Sequence, residues 1–227
     1  MKKLIALTLL NGFLLTHSPS YGQNIKLNAA SLSPVQVSMT VRKLDGEDVV
    51  KVCKDTAVKA VDQPTFARLN KVIFKNGSIE VKVLSRLLKT AKKDDRGFIG
   101  IAFHINDDNS KFEGIYIRPT NGRADDQVRR NHTVQYFSFP DYPYSRLRKE
   151  NPEVYETHAD IGLNEWIKLK IEVKGNQAKL YINDSKFPAF LVNDLKLGPD
   201  TAGGIGLWVD VGTEGFFRDL RILPTNE

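Results

Sequence analysis

Acids and arginines are the residues of this chain best suited to chemistry. Ordinary glycoside hydrolysis needs two carboxyl groups about 5–10 Å apart, one of them kept protonated by its surroundings. The acids that bear on such a role are Glu113, Asp125, Asp126, Glu156, Asp210 and Glu214. Glu156 follows Tyr155 in an aromatic stretch whose rings favour a protonated acid, which makes it the candidate proton donor. Asp125 and Asp126 lie among arginines in "RPTNGRADDQVRR", residues 118–130, and suit hydrogen bonding better than proton donation. Glu113 shares a side of its strand with Ile115 and Ile117 and belongs at a core edge, while Glu214 in "GTEGFF" reads as a turn residue. No pair of carboxylates stands out.

Other chemistries have weaker support. His17, His104, His132 and His158 show no metal-ligand spacing. No serine sits in a nucleophile elbow, and the glycines of "GNQ" and "GGIG" precede no helix that would hold phosphate. Asp107 and Asp108 in "NDDNS" are possible Ca²⁺ ligands, but the full spaced pattern is missing and a hairpin turn fits better. The sequence therefore implies no cofactor.

The N-terminus reads as an export leader. Met1-Lys2-Lys3 precedes the apolar run "LIALTLLNGFLLT", and Ser20-Tyr21-Gly22 places small residues at −3 and −1 of a cleavage site. This predicts a signal peptide over residues 1–22, cleaved after Gly22, and a mature chain beginning at Gln23 in the bacterial periplasm or outside the cell. The run is too short to span a bilayer, and no later segment is apolar and long enough. Losing Lys2 and Lys3 with no acid lowers the net charge from +6 to +4. Lys and Arg are spread along the chain instead of clustered, which argues against a nucleic-acid partner. Cys53 is the only cysteine, so no intrachain disulfide forms, and its place in "VVKVC" predicts a buried thiol. The roughly 205 remaining residues suffice for one domain, 23–227, with a sizeable core.

Period-two alternation dominates that domain. "VQVSMTV" and "DVVKVCK" flank an "LDGE" turn, and "GSIEVKVLS", "GFIGIAFHI", "KFEGIYIR", "HTVQYFSF", "WIKLKIEV", "AKLYIN", "GGIGLWVDV" and "GFFRDLRIL" follow. Short strands joined by Gly, Asn and Asp turns predict an all-β, two-sheet antiparallel sandwich. The best helical stretch, "YSRLRKENPEVYE", is interrupted by Pro152 and predicts at most a turn or two. Residues 119–131 and 140–165 are long connections, of the kind that carry function.

In residues 97–105, alternation puts Ile99, Ile101, Phe103 and Ile105 on one face and Phe98, Gly100, Ala102 and His104 on the other. Gly114, Tyr116 and Arg118 stand opposite Ile115 and Ile117, and Gly204, Gly206, Trp208 and Asp210 opposite Ile205, Leu207 and Val209. Glycine weakens a strand unless something approaches the backbone closely. One reading is an open trough with aromatic and charged side chains at its rim, suited to stacking and hydrogen-bonding a sugar. The other is strong sheet curvature or a segment lying over the face. On the first reading, Arg118, Arg123, Asp125 and Arg129 form a charge-paired rim. His104, Tyr116, Gln135, Tyr136, Tyr144, Arg146 and Trp208 complete the candidate binding set, while Trp166 reads as packing.

The stretches "FEGIYIRPTNGRADDQVRRNHTVQYFSFPDYPYSRLR", "NPEVYETHADI", "EWIKLKIEVKGNQAKLYIN" and "GGIGLWVDVGTEGFFRDLRI" resemble the concanavalin A-like, laminin-G-like sandwiches of secreted bacterial proteins. Within these they are most similar to domains of the 3-keto-disaccharide hydrolase type, over roughly residues 60–223. The resemblance implies a jelly roll with a concave, carbohydrate-facing sheet. Gly114-Ile115-Tyr116-Ile117-Arg118 matches one family strand pattern, and Gln135 matches the glutamine of the next. Thr133 and Ser138 stand where that second pattern has acids, which weakens the hydrolase reading. Three functions follow in order: a carbohydrate-binding sandwich, a hydrolase or lyase acting on a sugar, and an adhesion or scaffold module receiving a protein loop.

Overall fold

The computed structural model describes residues 22–225, so the expected leader lies, but for Gly22, outside the described residues. In chain order the first strands are β1 (Gln23–Ile25), β2 (Leu32–Val35), β3 (Val37–Leu44), β4 (Glu47–Lys54), β5 (Phe66–Leu69), β6 (Gly77–Leu87), β7 (Ile99–Ile105) and β8 (Phe112–Ile117). Two short helices, α1 (Pro119–Gly122) and α2 (Gln127–Asn131), lead to β9 (Val134–Phe139), α3 (Tyr144–Glu150) and β10 (Glu156–Thr157). The chain closes with β11 (Ile167–Lys174), β12 (Gln177–Ile182), β13 (Phe190–Val192), β14 (Gly204–Val209) and β15 (Thr213–Pro224).

These strands form the expected sandwich of two antiparallel sheets. An eight-stranded sheet runs β13-β12-β11-β6-β15-β4-β3, with β1 added to β15, and a seven-stranded sheet runs β10-β9-β8-β7-β14-β5-β2. The core lies between them. Val81, Val83 and Ile171 come from one sheet and Ile101, Ile115 and Leu207 from the other, all in one buried cluster. Each is the inward member of an alternating strand, and burying such a side chain is worth about 1.5–3 kcal/mol. The expected strand over 35–41 divides at Gln36, whose φ of +50° turns the chain from β2 in one sheet to β3 in the other. Cys53 is buried in the turn-flanked hairpin of β3 and β4, and that burial pushes its thiol pKa up.

One expectation about faces is corrected. His104 has φ +55°, and the β7–β14 register slips between Gly204 and Gly206, so β7 carries a bulge that re-aims its end. Phe103 stays in the inter-sheet core, while Ile105 crosses to the outer side. His104 turns inward, its Nδ1 2.9 Å from Glu113 Oε2 and its Nε2 2.9 Å from the Lys75 carbonyl oxygen.

Candidate functional site

The small-residue face of the seven-stranded sheet is not an open floor. A Cβ on Gly114 would sit 2.3 Å from Phe137 Cε1, and one on Gly206 would sit 2.8 Å from Phe66 Cγ. The glycines make room for rings reaching across from neighbouring strands, and Phe66, Phe112, Tyr116, Phe137 and Trp208 tile the face as one buried cluster. This corrects the trough reading in favour of a face covered by the chain's own side chains. Trp208 is 1% exposed. It lies 4.8 Å from the Tyr116 ring and gives its indole N–H to the Gln63 carbonyl at 2.9 Å. It supports the rings and does not reach a ligand itself.

The opening lies at one end of this face. A cavity of about 430 Å³ is lined by residues that include Asp62, Phe98, Tyr116, Arg118, Asn121, Arg129, Tyr144 and Arg148. Arg118 follows β8 on the same side as Tyr116, as alternation predicts. Its Nη2 donates to Tyr116 Oη at 2.8 Å and Gln135 Oε1 at 3.2 Å, and its Nη1 donates to the His132 carbonyl at 2.9 Å. The guanidinium carbon lies 4.9 Å from the Tyr116 ring centroid and 5.5 Å from that of Tyr144. Gln135 is pinned in turn, its Nε2 donating to the carbonyls of Tyr136 and Tyr155 at 2.7 and 3.0 Å. A planar cation fixed this way loses little entropy on meeting a ligand.

Asp62 joins the lining from the segment before β5. It is buried, and its carboxylate accepts the Tyr144 backbone N–H at 2.7 Å. Burial pushes its pKa up from 3.8 to about 6, with the Tyr144 hydrogen bond and the Arg118 and Lys54 charges opposing and the Asp210 charge adding to the rise. Asp210, also in the lining, accepts the Asp62 N–H at 2.9 Å and meets Lys54 Nζ at 2.5 Å. Lys54 also donates to the Ala60 carbonyl at 2.5 Å. The buried Lys54–Asp210 pair thereby pins the segment that carries Asp62. Sequence reasoning named Asp210 but missed Asp62, because nothing in "VDQPTF" distinguishes it from a turn aspartate; Pro64 two residues on is the only local hint of a fixed backbone.

The arginine-rich connection folds into α1 and α2. Asp126 caps α2 by accepting the Arg129 N–H at 2.9 Å. Arg129 reaches the cavity wall. The expected Arg123–Asp125 pairing is not what forms: Arg123 donates to Asp160 at 2.6 Å and to both oxygens of Glu165 at 3.2 Å, outside the cavity, and Asp125 is not in the lining.

Glu156 lies beneath one wall. Both its oxygens accept from Arg148, at 2.8 and 2.6 Å, and its Oε2 is 2.7 Å from His132 Nδ1, which lacks hydrogen-bond alignment to it. Burial lowers the His132 pKa, and the charges of Arg148 and Arg118 add to this while Glu156 opposes it. A carboxylate doubly held by a guanidinium positions Arg148 at the cavity wall.

The remaining candidates disperse. Tyr136 points into the core and donates to Glu113 Oε1 at 2.9 Å, so Glu113, His104 and Tyr136 form a buried network away from the cavity. Arg146 pairs with Glu150 at 2.8 Å and stacks on Tyr142 at 4.4 Å, outside the lining. Trp166 packs against Val49, Leu84 and Phe216, as expected. The Asp107–Asp108 turn is closed by its own bonds, with Asp108 Oδ1 accepting the Ser110 hydroxyl at 2.6 Å. Among the described residues no group of three or more His, Cys, Asp or Glu is placed to hold a metal ion, and no helix is long and apolar enough to cross a membrane.

Comparison with known proteins adds the family. Residues 40–223 match the 3-keto-alpha-glucoside-1,2-lyase-like domain. The chain belongs to that family. No curated protein matches it. Among solved structures, a native glycosidic hydrolase aligns at 11% identity with a TM-score of 0.51, covering 91% of this chain and 97% of that one, which shows the shared sandwich fold. The carbohydrate binding module CBM66 from Bacillus subtilis aligns at 15% identity, TM-score 0.46, over 82% of this chain and 94% of that one. Domain 4 of AbnA, an extracellular arabinanase from Geobacillus stearothermophilus in complex with arabinotriose, aligns at 16% identity, TM-score 0.43, over 82% and 75%. This member of the 3-keto-alpha-glucoside-1,2-lyase-like family is a two-sheet β-sandwich.

Proposed function

We propose that the mature chain is an exported carbohydrate-recognising protein whose sugar enters the cavity between Arg118 and Asp62. The observation that carries this reading is the cavity itself. Its volume of about 430 Å³ falls within the usual range for small-ligand sites, about 300–1,000 Å³. Its walls combine the rings of Phe98, Tyr116 and Tyr144 with the fixed guanidinium of Arg118 and the carboxylate of Asp62. Rings stack on sugar C–H faces, while the charged groups bond hydroxyls. The leader pattern read in the sequence of residues 1–22 supports the exported location. The test is retention on a glycan array and on matched sugar columns. Wild type is retained, while Arg118→Met and Tyr144→Ala are not; undiminished retention of both variants would end this reading.

Asp62 favours a second reading, in which the bound sugar is cleaved. In a 3-ketoglycoside the proton on C2 is acidified by the neighbouring ketone. Above about pH 6 the ionised Asp62 takes that proton, and Arg118 stabilises negative charge developing on the ketone oxygen. The electron pair forms the C1–C2 double bond as the C1–O bond breaks, and the Asp62 carboxyl returns its proton to the leaving oxygen. Incubation with a 3-keto-α-glucoside then yields a free alcohol and an unsaturated keto sugar. Asp62→Asn abolishes product while Glu156→Gln retains it; the opposite pattern would return the chemistry to Glu156.

A further inference from the structure

The proposed sugar cavity is lined by four arginines and four aspartates, and the two sets are unevenly paired. Arg148 gives its donors to Glu156, Arg96 pairs with Asp94 at 3.1 Å, and Lys54 behind the lining pairs with Asp210. Arg118 and Arg129 form no ion pair among the described residues. Arg118 is 4% exposed and spends its bonds on three neutral acceptors, the Tyr116 hydroxyl, the Gln135 amide and the His132 carbonyl. The Arg129 Nε is buried without a hydrogen-bond partner, and its Nη2 has only the Thr120 carbonyl and Asn121 Oδ1, each at 3.4 Å.

A guanidinium cannot shed its charge in a protein, so burial without a counter-ion is costly unless something supplies the anion. The Asp62 charge acts on Arg118, but no acid among the described residues closes to an ion pair with either guanidinium. Asp62 accepts the Tyr144 N–H, Asp210 is taken by Lys54, and Asp95 accepts the Lys92 N–H at 2.6 Å. Arg118 and Arg129 thus keep their guanidinium charge free of an ion pair, while Asp62 and Asp95 are held by backbone N–H groups alone.

We infer that the sugar taken here is acidic, a hexuronic acid or its glycoside, with its carboxylate held between Arg118 and Arg129. This rests on the reading that the cavity is the sugar site. A planar carboxylate matches the guanidinium fork; a sulfated sugar shares the charge, and the experiment separates the two.

Calorimetric titration of the mature chain with D-glucuronate, D-glucose and glucose 6-sulfate tests the inference. Glucuronate binds at least about ten-fold more tightly than glucose, the scale of one charge-assisted bond, and more tightly than the sulfate ester. Its affinity falls with added salt while that of glucose does not. Arg129→Gln reduces the glucuronate preference to less than about three-fold, and Arg146→Gln, outside the cavity, leaves it intact. The salt dependence of wild type stands even where the Arg129 variant folds poorly. Equal affinity for glucuronate and glucose, or a preference that survives Arg129→Gln, overturns the acidic-sugar inference while leaving the sugar cavity in place. Tighter binding of the sulfate ester assigns the cavity to that anion instead. Binding of no sugar, neutral or acidic, overturns both.

Discussion

The Tyr144 amide donates to the Asp62 carboxylate at 2.7 Å across 82 residues of chain. This bond ties the segment before β5 to the first residue of α3, and both ends line the same cavity. It also explains why Tyr144 comes to face Arg118. The long connection after β9 folds back, with β10 pairing against β9, so the two long segments flanking that strand meet at one end of the sheet.

Asp62 sets a pH dependence of stability. Its folded pKa of about 6 lies above the ordinary 3.8, so the folded state favours the neutral acid. The stability this contributes is complete below about pH 3.8 and is lost as pH rises through about 6, a change of about 2–3 kcal/mol. Urea titrations between about pH 4 and pH 8 are expected to show wild type losing that amount relative to Asp62→Asn. A constant difference across the range would contradict the assignment.

Lys54 and Asp210 form a buried pair, and removing one partner strands the other. Lys54→Met is expected to cost about 3–5 kcal/mol, read from the denaturation midpoint. The double variant Lys54→Met with Asp210→Asn recovers a large part of the loss. A double variant no better than the single one would show that the charge pairing is not what holds the Asp62 segment.

Gly114 tests whether the sheet face is filled. Gly114→Val drives a side chain into the Phe137 ring and is expected to destabilise by about 1–3 kcal/mol. Adding Phe137→Ala frees the space and gives less total loss than the two single changes summed. An unaffected Gly114→Val protein would mean the face is open after all.

The sandwich itself was legible because alternation and turn glycines are local signals. Val81, Val83, Ile101 and Ile115 are inward because of their place in a period of two, and the structure keeps them there. The face that strands present at their ends was less legible. His104 and Ile105 exchange sides because a non-glycine residue adopts a positive φ, which no local pattern announces. The meaning of the glycines was also non-local: Gly114 is small because of Phe137, and Gly206 because of Phe66, each on another strand. Arg118, Tyr116, Arg129 and Tyr144 were identified from the sequence as candidates and line one cavity. Asp62 escaped notice because its pKa arises from burial and from partners distant in the chain. Asp125, Arg123 and Arg146 lie apart from that cavity because charge-rich segments offer several pairings, and distant acids such as Asp160 and Glu165 captured Arg123.

The central claim is that Arg118 presents a fixed cation to a sugar. Calorimetry on wild type and Arg118→Met, each checked for folding by circular dichroism, with the sugar best retained on the array, tests it most directly. The account predicts an affinity loss of about ten- to a hundred-fold in the variant, the scale of one or two bonds to a charged group. Equal affinity in a folded Arg118→Met protein would contradict it.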